Sequence, residues 1–259
     1  MEIPRLFNLE GKVALITGAS SGLGVAFCEA MAEAGANVVG AARRLPLVKE
    51  TIKKIERLGH RNLAIKADVS KEEDTKKMVD RILSEFGRID ILINNAGISP
   101  DPMPLHKISL KDWNEVIATN LTGVMLCCRE VLKIMVEQRK GKVINIASVA
   151  GMLGCAPLLT IPAYSASKGA IINLTRELAM EYIKMGINVN AIAPGFFHTN
   201  LGGFAKAEPA FHEILKKRIP LGKIGHPDEL KGTALYLASS ASDFVTGHIL
   251  VVDGGYSVR

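Results

Sequence analysis

The sequence predicts an α/β fold in which a single doubly wound parallel sheet carries helices on both faces. Short apolar runs alternate with helical stretches along the chain, and this alternation is typical of parallel strands that are connected through helices. Most of the runs are almost continuously apolar, as expected for strands buried on both faces. Because no linker, internal repeat or low-complexity segment divides the 259 residues, we expect one domain over residues 1–259.

Composition and charge exclude several classes of protein. Apolar residues make up 48% of the chain and charged residues 22%, which are globular values. The formal net charge of +6 is spread over several segments, which favours solvated helix faces over a nucleic-acid surface. No apolar run reaches the ~18 residues of a membrane span, and the N-terminus lacks the pattern of a signal peptide. The four cysteines have neither metal-ligand nor disulfide spacing, so we expect a cytoplasmic protein with no metal, membrane or nucleic-acid partner.

The first elements form half of a mononucleotide-binding unit. Lys12–Thr17 predicts a buried strand, Gly18–Gly24 a glycine-rich turn, and Val25–Gly35 a helix. The glycines let the backbone turn tightly beside a pyrophosphate, and the N-terminus of the helix offers free N–H groups to that anion. A glycine pattern alone is weak evidence for a nucleotide site, but here the strand and the helix that it requires are both present.

The remaining elements continue the alternation. Ser70 is predicted to cap a helix, with Glu73 completing a capping box, and Leu110–Arg139 predicts one long helix. The other predicted strands are Val38–Ala42, Leu63–Ala67, Ile89–Asn94, Val143–Ala147, Ile187–Ala193 and Ile249–Val252, and the other predicted helices are Leu47–Leu58, Asp228–Leu237 and one that begins at Ala163.

Tyr164 and Lys168 are candidate catalytic residues. They are four positions apart in a predicted helix and therefore share one face. The lysine charge favours the phenolate, so we expect a tyrosine pKa below its ordinary value near ~10 and a general acid–base near neutral pH. Ser148 follows a buried strand, and its hydroxyl is expected to reach the same reacting oxygen. Taken alone, the pair also suits a solvated helix face.

These segments together resemble the short-chain dehydrogenases/reductases, and the resemblance runs from Lys12 to about Tyr256. It rests on segments that stand in order along the chain: Thr17–Gly24, Asp68-Val69, Asn94–Gly97, Asn120, Ser148, Tyr164–Lys168 and Pro194-Gly195. The resemblance implies a Rossmann fold, a nicotinamide cofactor and a catalytic tetrad of Asn120, Ser148, Tyr164 and Lys168.

The resemblance also implies individual roles. Tyr164 would exchange a proton with the substrate oxygen, Ser148 would donate a hydrogen bond to it, and Lys168 would also hold the nicotinamide ribose. Asn120 would bend its helix locally and hold a water in a proton relay. Thr199 would bind the nicotinamide carboxamide, although it also suits a plain helix cap. The implied cofactor-binding residues are Gly18, Ser20, Ser21, Gly22, Leu23, Gly24, Arg43, Asp68, Val69, Asn95, Ala96, Gly97, Tyr164, Lys168, Pro194, Gly195, Phe197 and Thr199.

The end of the second strand predicts the choice of cofactor. Ala42 occupies the position where an acidic side chain would accept hydrogen bonds from the adenosine ribose, and Arg43 offers donors that match a 2′-phosphate. These two features favour NADP(H). If Arg43 and Arg44 only begin a solvated helix, NAD(H) stays acceptable.

Two loops are expected to shape the substrate site. Ser148 and Tyr164 are sixteen positions apart, a few more than in many members of the family, and the extra length is expected to line or cover the substrate. Residues 196–220 resemble the variable substrate lid of the family. The apolar side chains of this lid, which equally suit core or subunit contacts, are Phe196, Phe197, Leu201, Phe204 and Phe211.

The sequence therefore predicts an NADP-dependent oxidoreductase that acts on a small carbonyl compound or secondary alcohol. Two alternatives stay open: an NAD(H)-dependent polyol or gluconate-type dehydrogenase, and a non-catalytic dinucleotide-binding sensor or scaffold. By the resemblance we also expect a homotetramer with interfaces on Leu110–Arg139 and Ile249–Tyr256.

Overall fold

The computed structural model describes residues 2–199, 201 and 209–258. Within them, seven parallel strands form one Rossmann-like sheet with helices on both faces, so the predicted fold class is confirmed. The strands are β1 (Val13–Thr17), β2 (Asn37–Ala42), β3 (Asn62–Lys66), β4 (Ile91–Asn94), β5 (Gly141–Ile146), β6 (Ile187–Pro194) and β7 (Ile249–Val252).

The order of the strands places a crevice at the carboxyl ends of the central strands. The order is β3-β2-β1-β4-β5-β6-β7, so the chain winds outward from β1 to β3, returns to β4 beside β1, and winds outward again to β7. Parallel doubly wound sheets bind ligands at the carboxyl ends of the strands where the winding reverses. Here that point lies between β1 and β4.

Helices cover both faces of the sheet. Their bounds are α1 (Ile3–Leu6), α2 (Leu23–Glu33), α3 (Leu45–Glu56), α4 (Glu72–Phe86), α5 (Leu110–Ile117), α6 (Gly123–Gln138), α7 (Pro162–Tyr182), α8 (Pro209–Arg218) and α9 (Lys231–Ala238). Among the described residues, none of these helices combines the length and the apolar character that crossing a bilayer requires.

Two apolar cores lie on the two faces of the sheet. Leu15 packs into the core beneath α4, α6 and α7, whereas the next residue, Ile16, packs into the core beneath α2, α3 and α9. Side chains alternate between the faces of a strand, so β1 must be apolar at every position. Its residues are all buried, as predicted from the continuous run.

The predicted capping box at Ser70 is wrong. The helix α4 begins one residue later than that prediction requires, after Lys71, and Lys71 makes no side-chain cap. The Ser70 hydroxyl instead donates to the carboxylate of Asp68 at 2.7 Å, an acceptor two residues away that competes with the helix N-terminus.

The long helix predicted over Leu110–Arg139 is interrupted. The α5 helix ends at Ile117, a π turn spans Ala118–Thr122, and α6 begins at Gly123. Asn120 lies within the π turn, so the local distortion that the resemblance implied is confirmed. Single π turns inside helices are frequent at functional sites.

Candidate active site

A cleft of about 600 Å³ opens at the carboxyl ends of the central strands. It brings the glycine-rich turn together with Tyr164 and Lys168, which are far apart in sequence. The predicted site residues that line it are Gly18, Ser20, Ser21, Gly22, Leu23, Arg43, Asp68, Val69, Asn95, Ala96, Gly97, Ser148, Tyr164, Lys168, Pro194, Gly195, Phe197 and Thr199. Gly24 and Asn120 belong to the structure around the cleft and are described below.

Two glycines of the turn are required by close packing. Gly18 has φ of +69°, and a Cβ there would come within 2.8 Å of the Cα of Ala96. A Cβ at Gly24 would overlap the carbonyl oxygen of Gly18. The turn is therefore pressed against the end of β4, and the N-terminus of α2 borders the cleft at Gly22 and Leu23. Such a helix end fits a pyrophosphate.

Thr17 joins the ends of β1 and β4. Its hydroxyl oxygen accepts hydrogen bonds from the backbone N–H groups of Asn95 and Ala96, both at 3.1 Å. The side-chain amide of Asn95 donates to the Thr17 carbonyl at 2.9 Å. These bonds hold the backbone of Ala96 and Gly97 at the wall of the cleft, where a dinucleotide would lie.

Ser148, Tyr164 and Lys168 converge beside the end of β5. The ammonium of Lys168 donates to the carbonyl oxygen of Ile146 at 2.6 Å and lies 5.6 Å from the centre of the Tyr164 ring. Ser148 hydrogen-bonds the phenol, and its hydroxyl oxygen accepts from the N–H of Ala150 at 3.1 Å. A hydroxyl, a phenol and an ammonium group thus lie close together in the cleft, an arrangement that suits proton transfer to a bound oxygen.

The expectation of a lowered tyrosine pKa is wrong for this structure. Burial raises the pKa of Tyr164 to about 12, and the hydrogen bond from Ser148 only partly offsets that effect. Burial lowers the pKa of Lys168 to about 8. The spacing of the two residues indicates the neighbouring charge but not the burial of both groups, and burial penalises the charged form of each.

Asn120 fixes the loop that follows β4. Its side-chain oxygen accepts from the N–H of Ile98 at 2.8 Å, and its amide donates to the Ile98 carbonyl at 2.9 Å and to the Ser167 hydroxyl at 3.2 Å. Ser167 precedes Lys168 on α7. Asn120 therefore connects the π turn, the cleft wall and the helix that carries the Tyr/Lys pair, while its role in a water relay stays a prediction.

Both arginines after β2 line the cleft and are exposed. Arg43 was predicted to bind the cofactor from the sequence, whereas Arg44 was not. The Arg44 guanidinium donates to the hydroxyl oxygens of Ser20 at 3.1 Å and Ser21 at 3.3 Å. No local spacing signals these contacts, because Arg44 is 24 positions from Ser20 and 23 from Ser21.

The loop between Ser148 and Tyr164 lines the cleft, as expected from its length. Its lining residues include Cys155, Leu159 and Ile161, none of which was selected individually from the sequence. Phe196, which follows β6, also lines the cleft and packs edge-on against Tyr256 with ring centres 5.0 Å apart. Within the predicted lid, Phe196, Phe197 and Leu201 line the cleft, Phe211 lies on α8, and Phe204 lies outside the described residues.

Over the described part of the chain, no group of three or more His, Cys, Asp or Glu residues is arranged to hold a metal ion. The donors around the cleft are backbone N–H groups, hydroxyls and guanidinium groups, which suit phosphate and ribose oxygens.

Comparisons with known proteins agree with the site. A family model described as enoyl-(acyl carrier protein) reductase matches residues 18–257. The chain is 42% identical over 98% of its length to a 2-dehydro-3-deoxy-D-gluconate 5-dehydrogenase of Dickeya dadantii (strain 3937), 98% of which is covered. It is 38% identical over 95% of its length to a cis-4-hydroxycyclohexanecarboxylate dehydrogenase of Sinomonas cyclohexanicum, 96% of which is covered. A gluconate 5-dehydrogenase of Burkholderia cenocepacia J2315, solved in complex with NADP and tartrate, superposes with a TM-score of 0.93 at 37% identity, with all of both chains covered.

Proposed function

The chain belongs to the short-chain dehydrogenase/reductase family of nucleotide-binding oxidoreductases, and we propose that it transfers a hydride between NADP(H) and a small carbonyl compound or secondary alcohol. The observation that carries the proposal is the convergence of Ser148, Tyr164 and Lys168 in the cleft that also holds the glycine-rich turn. Binding a dinucleotide alone needs the turn, whereas the acid–base group has a use only if a proton moves.

The preference for NADP(H) is supported by the end of β2. Ala42 removes the negative charge that would repel a 2′-phosphate, and Arg43 and Arg44 line the cleft beside it. Arg44 also contacts both serines of the turn. Its guanidinium would therefore lie between the turn that binds the pyrophosphate and the 2′-phosphate of the adenosine. The similar gluconate 5-dehydrogenase was solved with NADP, which agrees with this choice.

The nicotinamide, when bound, supplies or accepts the hydride at its C4 carbon. The residues of the chain manage the accompanying proton. Tyr164 with a pKa of about 12 keeps its proton at neutral pH and is therefore suited to donate it to the oxygen of a carbonyl during reduction. Ser148 donates a hydrogen bond to that oxygen, and the charge of Lys168 favours the phenolate that remains. We assign Asn120 to the positioning of Tyr164 and Lys168, through its hydrogen bonds with Ile98 and Ser167.

Two features of organisation are part of the proposal. Residues 1–259 form one domain, and the segment 196–220 acts as the lid over the substrate. The chain assembles into a homotetramer, which is supported by exposed apolar side chains on the expected interfaces. Leu110 is 74% exposed at the start of α5 and Met125 is 40% exposed on α6. Both residues belong to the expected interface Leu110–Arg139, where contact with a second subunit would remove their apolar surface from water.

The test of the proposed function is a kinetic assay with a panel of ketones, keto sugars and oxoacyl thioesters, following the absorbance of the reduced nicotinamide. We expect NADPH-dependent reduction of at least one carbonyl compound. Tight binding of NADPH without any turnover would instead indicate a sensor or scaffold. A higher kcat/KM with NADH and a polyol or gluconate substrate would favour the alternative dehydrogenase; two similar proteins are gluconate-type dehydrogenases.

A further inference from the structure

We propose that the substrate is an uncharged ketone with an apolar body, such as a ring ketone, or the corresponding alcohol, and that sugar acids are poor substrates. This inference rests on the proposed function, because it places the reacting carbonyl at Tyr164. It concerns the side of the cleft that faces away from the arginines.

The surface next to Tyr164 is apolar. Cys155 and Leu159 pack around Tyr164 together with Ile161, and all three line the cleft. Ile98 and Phe196 continue the lining on the neighbouring loops. A substrate that places its oxygen at the phenol would therefore lay its carbon body against side chains that, Ser99 apart, replace the hydrogen bonds of hydroxyl groups weakly or not at all.

We call the surface formed by Ile98, Cys155, Leu159, Ile161 and Phe196 the apolar wall. Contacts between its loops and their neighbours hold it in place. The N–H of Met103 donates to the carbonyl of Thr160 at 2.7 Å, which joins the loop after β4 to the loop before α7. The N–H of Leu159 donates to the carbonyl of Cys155 at 3.0 Å. Phe196 packs against the ring of Tyr256. Because hydrogen bonds fix these loops, the apolar wall is preformed, which favours a ligand with an apolar body.

Charged partners for a carboxylate lie at the other end of the cleft. The charged side chains among its described lining residues are Arg43, Arg44, Asp68 and Lys168. The two arginines follow β2, which is three strand intervals from β5, a distance of about 14 Å.

Lys168 is the only one of the four near the wall, and its ammonium already donates to Ile146. A carboxylate against the wall would lose its hydration without gaining a cation, which strongly disfavours it. The wall thus selects against the acid group of a gluconate while accepting a hydrocarbon ring.

A lysine outside the described residues must also be tested as a partner for a carboxylate. The segment 202–208 lies outside them and contains a single lysine, Lys206. If Lys206 supplied a partner for a carboxylate, acidic substrates would be accepted in spite of the wall. The variant Lys206→Ala therefore separates the chemistry of the wall from that of this segment.

The experiment compares kcat/KM for NADPH-dependent reduction of three compounds. 4-Methylcyclohexanone is neutral and apolar, 4-oxocyclohexanecarboxylate adds a carboxylate to the same ring, and 5-keto-D-gluconate is a polyhydroxylated acid. We expect the neutral ring ketone to exceed each acid by at least about tenfold, in the parent and in Lys206→Ala alike.

Two variants of one wall residue sharpen the comparison. Leu159→Arg introduces a cation and is expected to raise kcat/KM for the oxo acid while lowering it for 4-methylcyclohexanone by about tenfold. Leu159→Gln, the matched control, should lower activity on the neutral ketone without raising it on the acid. Unchanged affinity for NADPH verifies that both variants are folded.

The outcomes separate this inference from the proposed function. A kcat/KM for either acid that equals or exceeds that for 4-methylcyclohexanone overturns the inference but leaves the proposed reaction standing. If the activity on the acid is then lost in Lys206→Ala, Lys206 is the cation that binds the carboxylate. No turnover of any of the three compounds, or of the wider carbonyl panel, overturns both.

Discussion

The ammonium of Lys168 lies 5.6 Å from the centre of the Tyr164 ring, one helical turn away on α7. Burial acts on the two groups in opposite directions, raising the pKa of Tyr164 to about 12 and lowering that of Lys168 to about 8. Tyr164 therefore keeps its proton over the physiological range, and Lys168 is the group of the pair whose charge changes close to it.

The first prediction concerns the pH dependence of ketone reduction. Below about pH 8 Lys168 is protonated and favours the phenolate that forms as Tyr164 gives up its proton, whereas above this pH the charge is lost. We expect kcat to be level from about pH 6 to about pH 8 and to decline at higher pH. A level kcat up to about pH 10 would contradict the role of Lys168. In Lys168→Ala, kcat should be low and lack this inflection, and the affinity for cofactor should also fall.

The second prediction concerns the choice of cofactor. The double variant Ala42→Asp with Arg43→Ile restores the acid that binds the ribose and removes one guanidinium. A charged hydrogen bond worth ~1.5–3 kcal/mol corresponds to about 10- to 100-fold in affinity, so the ratio of kcat/KM for NADPH and NADH should turn toward NADH. Arg57→Ala, which changes an exposed arginine just after α3, is the control. A parent protein that already uses NADH better than NADPH would show that β2 has been misinterpreted.

The sequence was informative where local spacing or strand order decides the structure. Tyr164 and Lys168 share a face because a helix brings positions four apart together, and the apolar runs became buried strands because both sheet faces are covered. It failed where several neighbours compete. Ser70 bonds Asp68 instead of capping α4. The interruption of the long helix at Asn120 was expected from the family resemblance alone and not from the residue pattern.

Quantities that depend on burial were also beyond the sequence. The spacing of Tyr164 and Lys168 predicted proximity correctly, but the raised pKa of the phenol follows from the surrounding tertiary packing. Arg44 was missed for a similar reason, since its contacts with Ser20 and Ser21 join residues more than twenty positions apart. The expected location in the cytoplasm stays a prediction.

The third prediction concerns stability at the base of the sheet. Asp90 is 6% exposed; burial would raise the pKa of its carboxyl, but hydrogen bonds from Arg88 and the Val13 N–H, with the charge of Lys12, hold it below the ordinary value. The stabilisation is therefore present above the unfolded-state pKa near ~4 and is lost as the pH falls through the lower pKa of the folded state.

Asp90→Asn should thus lower the free energy of unfolding by about 2 kcal/mol at neutral pH, measured by urea denaturation, and by less at about pH 3. The control is Asp80→Asn, which changes an exposed carboxylate on α4 and should have little effect at either pH. An equal loss of stability at both pH values in Asp90→Asn would mean that the charge is not what stabilises the fold there.

The fourth prediction concerns assembly. Sedimentation at micromolar concentration should give a tetramer, and Met125→Glu, on the expected interface, should shift it toward smaller species because a charge would be buried there. Ile3→Glu alters another apolar side chain, 71% exposed on α1, and should leave the tetramer intact. A monomeric parent protein would refute the proposed assembly.

The fifth prediction tests the central claim, that Tyr164 transfers the proton during NADPH-dependent reduction. Tyr164→Phe removes the hydroxyl and keeps the ring, while Tyr182→Phe, at the far end of the same helix, is the matched control. The decisive measurement is kcat/KM on one carbonyl substrate, with the Kd for NADPH determined in parallel. We expect Tyr164→Phe to bind NADPH like the parent and to lose about 100-fold or more in kcat/KM, with Tyr182→Phe unaffected. A kcat/KM for Tyr164→Phe within a few-fold of the parent would contradict the assignment.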